Sequence, residues 1–432
     1  MPGMAPLALL VDDETGILET LAGVLADQGF TTVATTSGED ALALYRDRAP
    51  DVVFLDVWLP DRDGLETLRL LREIDPRAAV VMLSGHGTAA TAVKAIKLGA
   101  VDYLEKPPSY QQVVNAARQA LETRRTGAAG ATAAEPVGLD EPARRPPPKL
   151  RNLLASDQPQ RTIRHSTVLY GLGLHSGSRT GLVLQPLPPN SGIHFQSLPS
   201  GASIPAHLDS VADTEYATTL EGGGAQVRTV EHLLSALRAA GVTNLLIKVH
   251  GEVPVLDGSS LEFCRTLEEI GVDDQDEPRL EFVVDRRYEV GEGGKSLVLE
   301  PFDGFVVSYL LRYPAPIGEQ SYEFELRDFE TYRDQIAPAR TFGFMRDIKM
   351  LNELGLGSGG RLDNFILVGE DEVINTALRF PDEFVRHKIL DAIGDLYLLG
   401  YPVRGRVSAH LTGHRDNIAM VRKLALENAL ED

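Results

Sequence analysis

Residues 52–74 read VVFLDVWLPDRDGLETLRLLREI: an apolar run closed by Asp56, a polar turn, and a helical pattern that stops before Asp75-Pro76. The change from a continuous apolar run to an amphipathic period marks a buried strand feeding a covering helix. Outward from this stretch, strand-like apolar runs recur at 7–11, 31–34, 79–83 and 101–104, and a second helical pattern follows Ser37-Gly38 at 41–45. Strands alternating with amphipathic helices imply a parallel sheet covered on both faces, and five such units suit a doubly wound, flavodoxin-like α/β domain over residues 1–124.

Ligands of such a sheet sit beyond the carboxyl ends of its strands. Asp12 and Asp13 follow the first strand, Asp56 ends the third, Ser84 the fourth and Lys106 the fifth, so these polar residues converge on one edge. Three carboxylates suit a hard cation such as Mg2+. With Lys106, the ion would neutralise an incoming phosphoryl group while Asp56 attacks it. Residues 1–124 resemble the two-component receiver domain through Asp12-Asp13, Asp56, Ser84 and Lys106-Pro107, with Tyr103 at the aromatic switch position. The resemblance implies phosphorylation of Asp56 by a sensor histidine kinase and a cis Lys106–Pro107 bond. It also implies that Ser84 and Tyr103 reposition on phosphorylation and alter the surface of the fourth helix and fifth strand.

Beyond residue 125 the apolar period collapses. The stretch TGAAGATAAEPVGLDEPARRPPP at 126–148 reads as a flexible linker, expected to span 125–160. A mixed strand and helix region follows, with the acidic patch 273–278 suggesting a division near residue 280 into halves 161–280 and 281–432. The formal charge of −20 and the lack of a basic helix-turn-helix after the first domain argue against nucleic-acid binding. Cys264 is the only cysteine, so any metal site must use His, Asp and Glu. No apolar run approaches the roughly 18 residues that span a bilayer, and the N-terminus has no basic segment leading into an apolar one. A bacterial cytoplasmic location is therefore expected.

Of the ten histidines only His86 precedes the linker. A helix starting near Thr229 in TVEHLL (229–234) would carry Glu231 and His232 in its first turn. In DEFVRHKILDAIGDLYLL (382–399), His387, Asp391 and Asp395 are spaced i, i+4, i+8 and share one helical face. His414 follows Gly413 in a loop-like setting before Asn417. One histidine plus a His–Asp pair can supply three ligands to zinc and leave a fourth position open for water. Glu231 is then placed as general base, with His414 available as an acid oriented by Asp395. Taken alone, an i, i+4 His–Asp pair is more often a surface hydrogen bond than a metal site, and Glu231-His232 at a helix start equally fits capping.

From about Arg161 to Leu424 the chain resembles the UDP-3-O-acyl-N-acetylglucosamine deacetylase family, zinc amidases of lipid A synthesis. The matching segments are GLGLHSG (171–177), TVEHLLSAL (229–237), VPVLDGSS (253–260), ARTFGFMRDI (339–348), RFPDEFVRHKILDAIGDL (379–396) and the Gly413–His414–Asn417 loop. The resemblance implies an α+β fold of two similar halves, each with two helices on a sheet and a small insertion, with Zn2+ held between them by His232, His387 and Asp391. It further implies Glu231 as base, His414 as acid supported by Asp395, Thr341 at the oxyanion and Lys388 at the substrate. His175 and Phe342 are candidate substrate contacts. The second insertion, 343–369, carries Phe344, Ile348 and Leu351 at helical spacing and would wall an apolar passage for the acyl chain. Two departures stand out: VHGEVP (249–254) is one residue short, and DTEYATTL (213–220) lacks the cysteines some members carry near the metal.

The expected activity is hydrolysis of the N-acetyl group of UDP-3-O-acyl-N-acetylglucosamine, regulated through the receiver. Peripheral contact with the inner membrane would hand on the amphiphilic product, and ferrous iron is an alternative occupant of such a site. The competing reading is a signalling module in which the deacetylase-like part is a metal-bound scaffold or ligand sensor.

Overall fold

The computed structural model describes residues 5–85, 94–126, 149–198 and 200–430. Residues 86–93 and most of the expected linker lie outside the described residues. The described residues make up two compact units.

The first contains β1 (Leu7–Val11), α1 (Thr15–Ala26), β2 (Thr31–Thr35), α2 (Gly38–Arg48), β3 (Val52–Asp56), α3 (Gly64–Ile74), β4 (Val80–Ser84), β5 (Asp102–Glu105) and α4 (Tyr110–Thr126). The five strands are parallel in the order β2-β1-β3-β4-β5. Every residue of β3 and β4 is buried, as expected of central strands covered by helices on both faces. Asp63 caps α3 by accepting the Leu65 N–H at 2.7 Å, and Ser37 caps α2 through the Asp40 N–H. Because β1 and β3 are neighbours on either side of the point where strand order reverses, the chain ends after them open onto one crevice.

From residue 149 the fold is α+β. Strand β6 (Leu153–Ile163) leads into β7 (Thr167–Leu172), β8 (Arg179–Pro186), β9 (Ile193–Ser197) and β10 (Ser203–Pro205). A small sheet of β11 (Val211–Asp213), β12 (Thr219–Gly222) and β13 (Ala225–Arg228) precedes α5 (Glu231–Ala240), β14 (Leu245–Val249) and α6 (Leu261–Ile270). One five-stranded sheet runs β10-β9-β14-β8-β7.

The chain continues through β15 (Val272–Val283), β16 (Tyr288–Val290), β17 (Ser296–Glu300), β18 (Phe305–Arg312), β19 (Glu319–Glu325) and α7 (Phe329–Gln335). The remaining elements are β20 (Phe342–Phe344), α8 (Ile348–Glu353), β21 (Ile366–Val368), α9 (Glu383–Leu396), β22 (Val403–His410) and α10 (His414–Asn428). A seven-stranded sheet runs β16-β17-β22-β15-β6, with β18 paired to β22 and β19 to β18. Burial alternates residue by residue along β22, one face to the core and one outward.

Four local expectations change. Residues 153–160, expected in the linker, form β6, a strand with little apolar alternation that is ordered by antiparallel pairing with β15. The acidic patch 273–278 lies inside β15, where the register shifts around Pro278 opposite Pro159. The helix expected from Thr229 starts at Glu231, because Thr229 takes φ +60°, a left-handed conformation costly for a β-branched residue. His414, expected in a loop, is the first residue of α10.

Helices α5 and α9 meet where Gly394 faces the start of α5. A Cβ on Gly394 would stand 2.0 Å from the Glu231 carbonyl oxygen, so only glycine lets the two helices approach this closely. Gly394→Ala is accordingly expected to cost about 1–3 kcal/mol. That should lower the melting temperature by about 2–4 °C per kcal/mol, read by calorimetry against wild type; an unchanged transition would mean the helices separate freely.

Candidate functional site

Among the described residues, two groups of side chains could share a cation: His232, His387 and Asp391, and Asp12, Asp13 and Asp56, each with ligand atoms within 4.8 Å of one another. The first is assembled by the α5–α9 packing. His232 stands at the start of α5, while His387 and Asp391 lie one turn apart on α9. All three are buried.

Asp391 Oδ1 faces His387 Nε2 at 3.4 Å and His232 Nε2 at 3.7 Å, yet has no hydrogen-bond partner. A carboxylate oxygen buried this way is costly unless a cation sits against it. Burial pushes His232 down to about 3 and lowers His387, so both imidazoles are neutral and present lone pairs. Burial alone would raise Asp391, but the charged Lys388 and His414 beside it hold it below the usual carboxylate range. His387 Nδ1 donates to the Ala339 carbonyl at 3.1 Å, which fixes Nε2 as the inward nitrogen. Two neutral imidazoles and one ionised carboxylate converging without a proton among them fit a divalent cation that takes nitrogen and oxygen ligands.

Around this group stand the proton-transfer candidates. Burial pushes Glu231 up to about 8, against the pull of His414. Its Oε2 accepts the Thr218 N–H at 3.1 Å. His414 Nδ1 lies 2.8 Å from Asp395 Oδ2, and its Nε2 points to Asp391 Oδ2 at 3.8 Å. Although burial opposes the charge, Asp395 and Asp391 raise His414 to about 9, so its charged form persists at neutral pH. Lys388 Nζ donates to Asp391 Oδ2 at 2.9 Å and sits 5.6 Å from the centre of the Phe342 ring. Phe342 also packs edge-on against His387. Thr341 precedes Phe342 and is anchored by its N–H on the Gly258 carbonyl at 2.7 Å.

Lys388 and His414 border a cleft of about 1000 Å³ that runs out to Lys295, Arg312 and Arg415. His175 stands apart from these groups. Its backbone N–H donates to Glu252, and both its ring nitrogens are buried without partners. In the second insertion, Phe344, Ile348 and Leu351 are half-buried rather than core, while Met345, Met350 and Leu362 are exposed.

In the first unit, Lys106 Nζ bridges Asp12 Oδ2 at 2.5 Å and Asp56 Oδ2 at 2.7 Å. Burial pushes the Asp12 carboxyl up to about 6 against the attraction of Lys106, a strain that a bound cation would relieve. Asp13 is exposed at the mouth. Ser84 Oγ is buried without a hydrogen bond, and Lys106–Pro107 is cis. Tyr103 lies on β5, beside the pocket strand β4.

Sequence reasoning assigned no role to Thr218, Asn417, Ala339 or the buried Arg340–Glu383 pair at the start of α9. Thr218 and Asn417 stood within quoted segments; their partners are distant in sequence, so spacing carried no signal for them.

A family profile described as UDP-3-O-acyl N-acetylglycosamine deacetylase matches residues 160–426, and one described as a response regulator receiver domain matches residues 8–118. The UDP-3-O-acyl-N-acetylglucosamine deacetylase of Myxococcus xanthus is 44% identical over 270 residues, covering 61% of this chain and 86% of that protein. The protein of the same description from Neisseria meningitidis is 41% identical over 283 residues, covering 63% of this chain and 92% of that protein. Among solved structures, the receiver domain of NtrX from Brucella abortus is 46% identical, covering 27% of this chain and 98% of that chain, with a TM-score of 0.26.

Proposed function

The chain belongs to the UDP-3-O-acyl N-acetylglycosamine deacetylase family, fused behind a receiver domain, and from that premise we propose that it hydrolyses the N-acetyl group of UDP-3-O-acyl-N-acetylglucosamine in lipid A synthesis. The observation that carries this reading is the partnerless Asp391 Oδ1 between two neutral imidazoles, flanked by Glu231 and His414. The proposed occupant is Zn2+, held by His232, His387 and Asp391. When bound it supplies Lewis acidity, polarising the acetyl carbonyl and acidifying water.

The protein groups do the rest. Glu231 accepts a proton from the attacking water, whose oxygen adds to the acetyl carbonyl carbon. Thr341 and Lys388 are proposed to take up the charge that develops on the carbonyl oxygen. His414 passes the proton on its Nε2 to the departing nitrogen, while Asp395 holds its Nδ1–H. The carbon–nitrogen bond breaks, leaving acetate and a free amine. Lys295, Arg312 and Arg415 give the adjoining cleft the charge to hold the diphosphate, and Phe342, beside Lys388 and His387, is proposed as a further substrate contact, a role that buried His175, apart from these groups, does not share. The exposed apolar side chains of the second insertion suit the acyl chain and, with it, peripheral contact with the inner membrane. No helix among the described residues is long and apolar enough to cross a membrane.

The test is stoichiometric: zinc-loaded protein should release one acetate and one free amine for each substrate consumed. Zinc-bound protein that forms neither product would return the chain to the scaffold or sensor reading.

The receiver is proposed to occupy residues 1–124, and the deacetylase to begin with β6 at Leu153, its two halves meeting within β15. It is proposed to take Mg2+ on Asp12, Asp13 and Asp56 and phosphate on Asp56 from a sensor histidine kinase. Acetyl phosphate with magnesium should phosphorylate wild type but not Asp56→Ala, read as a mobility shift on a phosphate-affinity gel. Equal acetate-release rates from the two phosphorylation states would rule out direct control, because a modification shifts an activity only if it distinguishes two states.

A further inference from the structure

Thr218 is fully buried just before β12 and has no role in the account above. Its backbone N–H donates to Glu231 Oε2 at 3.1 Å, and its hydroxyl donates to Asp395 Oδ1 at 2.6 Å. The other oxygen of Asp395 accepts from Asn417 Nδ2 at 2.9 Å and holds His414 Nδ1 at 2.8 Å. Thr218 Oγ1 itself lies 3.5 Å from His414 Nδ1.

The geometry points to Thr218 as a positioning residue for deacetylation, one strut that sets the base Glu231 and, through Asp395, the acid His414 in a common frame. It rests on the roles proposed for Glu231 and His414. Those groups come from separate elements: Glu231 opens α5, Asp395 lies on α9 and His414 opens α10. Base and acid must reach opposite ends of the same amide bond, and a misplacement of about 1 Å can cost about 10²-fold in rate. The Thr218 hydroxyl is also the only donor to Asp395 Oδ1 among the described hydrogen bonds. Without it that oxygen is buried and unsatisfied, and the carboxylate turns to share the donors on its other side. Neighbouring Thr219 supplies an internal comparison. It is equally buried, but its hydroxyl has no hydrogen-bond partner.

The experiment measures acetate release by full-length, zinc-loaded wild type, Thr218→Val, Thr218→Ser and Thr219→Val, with bound zinc and melting temperature read in parallel. Thr218→Val keeps the shape and the backbone N–H but loses the hydroxyl. It should lower kcat about 10–100-fold, with KM within threefold and zinc content at the wild-type level. Thr218→Ser should recover to within fivefold of wild type, and Thr219→Val should match it. In a His414→Ala background the valine substitution should cost less than threefold, because its route to the reaction is already gone. If the valine variant does not fold, the serine and alanine variants give the same comparison of hydroxyl present and absent. The inference is overturned if kcat of Thr218→Val stays within twofold of wild type, if Thr219→Val loses as much, or if activity falls only in step with bound zinc. Wild type without turnover would instead remove the deacetylase reading, and this inference with it.

Discussion

Glu231→Gln is expected to reduce kcat by about 10²–10⁴-fold while leaving the bound metal and the fold in place. Glutamine preserves the shape of the side chain, and its carbonyl oxygen can still accept the Thr218 N–H that Glu231 Oε2 accepts at 3.1 Å. What it cannot do is accept a proton from water at the site. Because Glu231 is adjacent to His232 but is not among the ligand group, the substitution separates proton transfer from metal binding. Metal content measured beside the rate checks the division. A variant that keeps its metal and retains a tenth of the wild-type kcat would remove Glu231 from the role of base.

His414→Ala is expected to be nearly as severe, with a kcat loss well beyond tenfold and a much smaller change in KM. The imidazole is set between two carboxylates, Asp395 at 2.8 Å and Asp391 at 3.8 Å, which keep its charged form populated near neutral pH. Alanine removes the group proposed to pass a proton to the leaving nitrogen. It also leaves Asp395 Oδ2 with Asn417 as its remaining donor. Steady-state kinetics on protein with full metal content decide the point. A loss of tenfold or less would refute the assignment of His414 as the acid.

How much of this was readable in the sequence depends on how local the signal is. The receiver strands and the helix Gly64–Ile74 were legible because each is a contiguous apolar or amphipathic segment. The placement of Asp12, Asp56 and Lys106 followed from strand ends and sheet order alone. The His387–Asp391 pair was visible as an i, i+4 spacing, but its approach to His232 depends on Gly394 admitting the start of α5, a contact no periodicity encodes. Strand β6 was missed because SDQPQ offers no apolar alternation; its order comes from a partner more than a hundred residues later. Gly413 and the polar residues around His414 resemble a turn, whereas Asp416 reaches back to the Gly413 N–H and starts α10. Thr218 is not legible in DTEYATTL, because its hydroxyl meets a carboxylate 177 positions away.

The central claim is a metal-dependent deacetylase built on His232, His387 and Asp391, and one titration tests it most directly. Protein stripped by a chelator is given zinc in sub-equivalent steps, and acetate release from UDP-3-O-acyl-N-acetylglucosamine is measured at each step. The account predicts no turnover in the stripped protein, a linear rise, and saturation at about one equivalent, with no recovery in His387→Ala. Turnover that persists in the stripped protein, or that His387→Ala regains with zinc like wild type, would contradict it.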